Sequence, residues 1–319
     1  MKVQVTSRKL IKPCTPTPCN LRNFKISYLD ELNATMNVVA ILYYPSGFIN
    51  EIRLNHLEES LSEILPRFYP LAGRYIKENH LIDCSDQGAE YVEAQVDCEL
   101  LELVNSSEVN PDELNDLLPF ETCAADEVTD PLLAIQISKF KCSGLAIGVS
   151  ISHKINDAAS LAIFIEAWTN ASRGENIETI SPIFNSPSLF PGRNFSLPDL
   201  EQTRKRDPTN VSRRFIFNKW AISSLRDKVM KAQETGKRRP SRVQLVSALI
   251  VKAIVGVDRK KHGKSRALLI SHVVNIRERT IPPLPQHSCG NLGVLAITEC
   301  TAEESQNMEF QDLICSFLG

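Results

Sequence analysis

The chain has 319 residues, 43% of them hydrophobic and 23% charged, with 13 Gly and 18 Pro. A length of this order allows about two domains; the apolar fraction excludes a disordered chain, and the modest Gly and Pro content excludes a collagen-like or low-complexity one. Lys and Arg total 36 against 38 Asp and Glu, a net charge of −2, so no global basic field holds nucleic acid or an anionic membrane, and function must sit in a local site.

Nine cysteines, an odd number, form no CxxC pair, and the histidines and cysteines show no metal-ligand spacing. No metal is therefore expected. The N-terminus MKVQVTSRKLIKPC lacks the apolar core of a secretory signal. Apolar runs such as VVAILYY (38–44) fall far short of the ~20 residues a membrane span needs. A reducing, cytoplasmic setting is predicted, with the cysteines acting as small buried hydrophobes.

In chain order, VQVTSRKLIKP (3–13) reads as an opening strand ended by the Pro-rich CTPTPCN (14–20). VVAILYY reads as a buried strand, IRLNHLEESLSEIL (52–65) as an amphipathic helix stopped by Pro66, and EYVEAQV (90–96) as a strand with period-two alternation. YPLAGRYI (69–76) is a turn into a further strand. LLAIQISKF (132–140) and GLAIGVSIS (144–152), separated by Lys141-Cys142-Ser143, predict a hairpin. The second run leads through HKIND into AASLAIFIEAWTNASRG (158–174), an amphipathic helix with Gly174 as its C-terminal stop.

Residues 175–212 hold five prolines and no periodicity, which predicts a crossover linker between a first domain, 1–174, and a second, 213–319. In the second domain RRFIFNK (213–219) reads as a strand and WAISSLRDKVMKAQ (220–233) as a helix. SRVQLVSALIVKAIVGVDRKKHG (241–263) reads as a longer helix with Ser241 as N-cap. RALLISHVVNIRER (266–279) and NLGVLAITEC (291–300) read as strands, and the tail as a half-finished amphipathic helix.

Among the six histidines only His153 has an acidic residue four positions on, Asp157. An imidazole at the exit of a buried strand is suited to proton transfer near neutral pH. Asp157, one turn further, lies too far round to orient the ring and is better placed to take a basic partner and fix the turn. The alternative from the residues alone is a satisfied core histidine beside a helix N-terminal Asp stabilised by the dipole.

HKIND occurs together with PCTPTP, YPLAGR (69–74), SRVQLVSALI (241–250), VNIRER (274–279) and HSCGN (287–291). In this order they resemble the plant BAHD acyltransferases over essentially the whole chain. The resemblance is to the branch of alkaloid and terpenoid O-acetyltransferases that contains vinorine synthase. It implies an α/β fold of two chloramphenicol-acetyltransferase-like domains with mixed sheets, monomeric and cytosolic. It also implies transfer from acyl-CoA, most simply acetyl-CoA, to the hydroxyl of a secondary metabolite such as a triterpenoid, limonoid or alkaloid. By carry-over His153 is the general base facing a channel between the domains, and no covalent intermediate forms. Asp157 pairs structurally with Arg277, with Arg279 as the fallback, and the helix opening at Ser241 lies along the CoA arm. The basic run Lys237-Arg238-Arg239 is a candidate for the CoA 3′-phosphate or, alternatively, a solvated turn. The chain departs from the family in having Ala158 after the motif Asp and in lacking DFGWG before its end at Gly319. The second domain is accordingly expected to be incomplete. The alternative function is a catalytically inactive remnant that binds a ligand or partner without turnover.

Overall fold

The computed structural model describes residues 1–33, 36–47, 51–105, 111–119, 130–194, 215–232 and 239–316. The chain forms two contact units: Met1–Arg213 with Asn275–Gly293, and Arg214–Val274 with Val294–Gly319. The stretch Asn275–Gly293, which the sequence reading set within 213–319, therefore packs with the first unit.

The first unit contains strands β1 (Val3–Ile11), β2 (Asn23–Lys25), β3 (Asn37–Tyr44), β4 (Arg74–Ile76), β5 (Leu81–Asp83), β6 (Ala89–Val96), β7 (Leu133–Phe140) and β8 (Leu145–Ser152). Its helices are α1 (Tyr28–Glu31), α2 (Glu51–Ile64), α3 (Leu100–Asn105), α4 (Pro111–Asn115), α5 (Ala158–Ser172) and α6 (Ser186–Leu189). The main sheet has the order β1-β6-β7-β8-β3; β6 and β7 run parallel and the other pairs antiparallel, which makes it a mixed sheet. A smaller antiparallel sheet has the order β2-β5-β4. β7 and β8 form a hairpin in which Leu133 faces Ile151 and Lys139 faces Leu145.

All eight residues of β8 are buried, as a strand covered on both faces must be. One covering layer comes from α2 and α5, whose Leu57, Leu61, Ile64, Phe164 and Trp168 join Ile135, Val149 and Ile151 in one core. The Phe68 and Phe164 rings meet edge to face at 5.3 Å, and the Trp168 indole N–H donates to the Leu57 carbonyl at 3.1 Å. Leu117, beside Val96, Leu100, Phe140 and Ala146, belongs to a second apolar cluster. A side chain at Gly148 of β8 would place its Cβ 2.1 Å from the Leu117 carbonyl oxygen, so only glycine fits there.

The expected crossover linker is partly structured. Within 175–194 the chain forms a 3₁₀ turn at Ile177–Thr179 and α6, and it bridges Ile183 to Ser288 and Pro191 to Ser27. Its prolines exclude a ladder, but Phe184 packs edge to face against Phe24, Phe68 and Tyr69 and ties the segment down.

The second unit contains α7 (Lys219–Ala232), α8 (Arg242–His262), most of β9 (Leu268–Asn275) and β10 (Gly293–Cys300), α9 (Ala302–Asn307) and α10 (Phe310–Ser316). β9 and β10 pair as a two-stranded sheet. Ile222, Val229, Leu245, Ala248, Ile270, Leu313 and Ile314 form its core. Ser241 caps α8 in a reciprocal box with Gln244, and Gly263 ends it in the left-handed conformation at φ 71°. The strand expected over 213–219 is absent from its described residues, 215–218. Instead, Asn218 accepts from the Ala221 N–H at 2.8 Å and starts α7. The strand expected to run to Arg279 stops at Asn275, whose side chain turns back to accept from the Arg277 N–H at 3.0 Å. The tail is two short helices rather than one.

Candidate active site

β8 ends at Ser152, and the next backbone N–H, that of His153, still donates to the Met36 carbonyl at 2.7 Å. The turn that follows buries Ile155 in the core and Asn156 beneath it, where the Asn156 amide donates to the Ser152 carbonyl at 3.2 Å. Lys154 folds over the Tyr75 ring and donates to the Asn33 carbonyl at 3.0 Å. With these side chains fixed, His153 stands half-buried at the strand's exit.

Asp157 closes the turn and opens α5. Its Oδ1 accepts from the Ser160 N–H at 2.8 Å as an N-cap. The same carboxylate takes a two-pronged ion pair from Arg277, Nη1 to Oδ2 at 2.7 Å and Nη2 to Oδ1 at 2.9 Å. Oδ2 also accepts from the Leu292 N–H at 3.2 Å. Arg277 is buried, and its Nε donates to the Ser288 carbonyl at 2.9 Å. The planar guanidinium thus joins the turn after β8 to the 287–292 loop.

That loop reaches the histidine through Asn291. The His153 Nδ1 and Asn291 Oδ1 lie 2.9 Å apart. The Asn291 Nδ2 donates to the His153 carbonyl at 2.7 Å and to Asp30 Oδ1 at 2.9 Å. Both of those partners are acceptors, so the amide nitrogen must face them and the amide oxygen must face the ring. An oxygen at Nδ1 requires a proton there. In the neutral ring Nε2 then carries the lone pair, the state of a proton acceptor.

The structure brings His153, Asp157 and Arg277 together within the first unit. Arg279 is exposed and is not the partner of Asp157. Ser241 belongs to the second unit, where its hydroxyl is engaged in the α8 cap. Lys237 and Arg238 lie outside the described residues. Burial pushes the Cys289 thiol, close to Arg277 and Asp157, up to about 12. The residues the motif search missed are Asn291, Asp30 and Ser160. Asn291 lies in the HSCGN stretch without a role of its own there, and Asp30 carried only the signal of a cap, Ser27-x-x-Asp30. Among the described residues no group of three His, Cys, Asp or Glu is placed to hold a metal ion, and no helix is long and apolar enough to cross a membrane.

A family model described as the Transferase family matches residues 1–316. Vinorine synthase of Rauvolfia serpentina is 38% identical over 98% of this chain and 74% of its own. The vinorine synthase crystal structure superposes with a TM-score of 0.86 at 37% identity, over 99% of this chain and 75% of that one. Stemmadenine O-acetyltransferase of Catharanthus roseus is 38% identical over 98% of this chain and 74% of its own. A pelargonidin 3-O-(6-caffeoylglucoside) 5-O-(6-O-malonylglucoside) 4'''-malonyltransferase of Salvia splendens is 38% identical over 93% and 68%. The α/β fold with mixed sheets is therefore that of vinorine synthase, and the chain belongs to the Transferase family, the BAHD acyltransferases, as an acyl-transferring enzyme.

Proposed function

We propose that the chain transfers an acetyl group from acetyl-CoA to a hydroxyl of a plant secondary metabolite, a terpenoid of triterpenoid or limonoid type or an alkaloid, with His153 as general base. The observation that carries this reading is the bond between His153 Nδ1 and Asn291 Oδ1, at 2.9 Å, which leaves Nε2 as the acceptor. An alcohol is a poor nucleophile, and a positioned base contributes about 10²–10⁴-fold. Nε2 takes the hydroxyl proton as the oxygen bonds to the thioester carbonyl carbon. The C–S bond then breaks, CoA leaves as the thiolate, and the imidazolium returns the proton to sulfur. No protein nucleophile enters this sequence. Asp157 and Arg277 hold the turn and the loop that carry His153 and Asn291. The N-terminus of α8 at Ser241 is the proposed neighbour of the CoA phosphates, since first-turn N–H groups and the helix dipole favour an anion. The protein works as a cytoplasmic monomer in this reading.

The test is His153→Ala, assayed with acetyl-CoA against a panel of hydroxylated terpenoids and alkaloids. The expected result is a loss of about 10²–10⁴ in kcat with CoA affinity within threefold of wild type. Product formation at the wild-type rate overturns the mechanism, and an inactive wild-type chain that still binds CoA favours the remnant.

A further inference from the structure

We propose that Asp30 is a positioning residue whose buried carboxylate holds the Asn291 amide in the one orientation that keeps the His153 proton on Nδ1. The proposal rests on His153 being the base and adds the group that selects its tautomer.

Asp30 lies in the four-residue helix α1 and is fully buried. Its Oδ2 accepts from the Ser27 N–H at 2.9 Å and the Ser27 hydroxyl at 2.6 Å. With the Ser27 Oγ accepting in return from the Asp30 N–H at 3.1 Å, these bonds complete the capping box of α1. Oδ1 is not needed for it, yet a buried charged oxygen is costly unless hydrogen-bonded. Here Oδ1 accepts from the Asn291 backbone N–H at 3.0 Å and from its Nδ2 at 2.9 Å, across 261 positions of sequence. Burial pushes the Asp30 carboxyl up despite these donors, so the fold keeps an ionisable group where desolvation disfavours its charge. Such groups gather at functional sites.

The consequence is directional. If the Asn291 amide turned over, its oxygen would face two oxygens, Asp30 Oδ1 and the His153 carbonyl. Its nitrogen would face Nδ1, which would then have to accept. The ring proton would move to Nε2, and the position facing the incoming hydroxyl would become a donor. Two acceptors oppose that turn, and Asp30 is the one supplied by a side chain.

Asp30→Asn tests this with nearly unchanged shape. The introduced amide has one oxygen for four donors. With that oxygen toward Ser27 it continues to cap, and its nitrogen meets both Asn291 donors, so that turning the Asn291 amide over relieves the clash with Nδ2 and leaves the Asn291 backbone N–H without an acceptor. With ¹⁵N-labelled histidine in the full chain at pH 8.5, His153 should shift from the Nδ1–H form toward the Nε2–H form, its signal assigned by loss in His153→Ala. kcat should fall at least tenfold, with KM for acetyl-CoA and acceptor within threefold. The wrong tautomer costs about 10⁴ in a serine protease, and here the His153 carbonyl still opposes the turn. Ser27→Ala removes a donor from the other oxygen and should lower Tm, leaving the tautomer unchanged and kcat within twofold. A wild-type His153 found in the Nε2–H form overturns the proposal without any variant. So does Asp30→Asn with the wild-type tautomer and kcat, which reduces Asp30 to a helix cap. Full activity of His153→Ala sinks the base reading itself, whereas an inactive His153→Ala beside an unaffected Asp30→Asn sinks only this positioning role.

Discussion

Asp157→Asn removes one charge and no volume, and it probes the junction between the His153 turn and the 287–292 loop. Four N–H groups aim at the two carboxylate oxygens: Ser160 N, Leu292 N and both Arg277 Nη atoms. An amide nitrogen in place of either oxygen faces donors, so Asn cannot reproduce the set. Asn is as good an N-cap as Asp, which leaves the ion pair as the main loss. The side chains are 6% exposed for Arg277 and 20% for Asp157. Breaking a buried pair by removing one partner costs about 3–5 kcal/mol, and the partial exposure of Asp157 argues for the lower end, about 3 kcal/mol. Trp168 is 3% exposed in the core of the first unit and Trp220 is 78% exposed in the second, and the chain has no other tryptophan. In a Trp220→Phe background, Trp168 fluorescence thus reports unfolding of the first unit alone. With a urea slope of about 2–3 kcal/mol/M, the midpoint should drop by about 1 M. kcat should fall with it, because Leu292 and its neighbour Asn291 lose an anchor. Asp157→Asn combined with Arg277→Met should cost about 2 kcal/mol less than the two singles summed, since no buried charge is left alone. An unchanged midpoint with full activity, or strict additivity, refutes the idea that this pair clasps the site.

Gly148→Ala should destabilise the first unit by about 2–4 kcal/mol or abolish soluble expression, because its Cβ would lie 2.1 Å from the Leu117 carbonyl oxygen; an unaltered melting curve would sink this packing argument. Alkylation with iodoacetamide at pH 8, read by peptide mass spectrometry, should modify the exposed Cys14 and Cys19 first with activity retained. Cys84 and Cys289, each pushed up to about 12 by burial, should react only on unfolding, and early modification of Cys289 with loss of rate would show a thiol taking part. Burial holds the Asp30 carboxyl above its ordinary 3.8, so the native state binds the extra proton. Stability from this group is fully present below about pH 4 and is lost as pH rises through the native value. Wild type should therefore show a downward component of stability over that window that Asp30→Asn lacks, and parallel stability–pH curves for the two would contradict it.

What the sequence made legible was local. A run of small and apolar residues followed by a helical period fixes β8 and α5, so the position of His153 between them follows from pattern alone. Patterns misled where one polar side chain outweighed them. Asn218 caps a helix where RRFIFNK suggested a strand, and Asn275 ends β9 four residues before its expected end. In the expected linker the prolines correctly excluded a ladder, but a single Phe184 supplied enough apolar contact to order it.

The partners of the site were legible only in part, for a physical reason. Spacing reports neighbours along an element, whereas Arg277 reaches Asp157 across 120 positions and Asn291 reaches His153 across 138. Arg277 could be named because a family resemblance carried it; nothing in its own surroundings marks it. Asn291 lies at the end of HSCGN with no role readable from its neighbours, since an amide becomes informative only when its two donors and one acceptor are all assigned. Both residues come from Asn275–Gly293, the stretch that leaves the second unit and packs with the first. That excursion delivers a guanidinium to fix the turn beneath the histidine and an amide to set its proton. The five-residue HKIND spacing therefore becomes a site only when a distant stretch of chain supplies a charge for its last residue and an oxygen for its first.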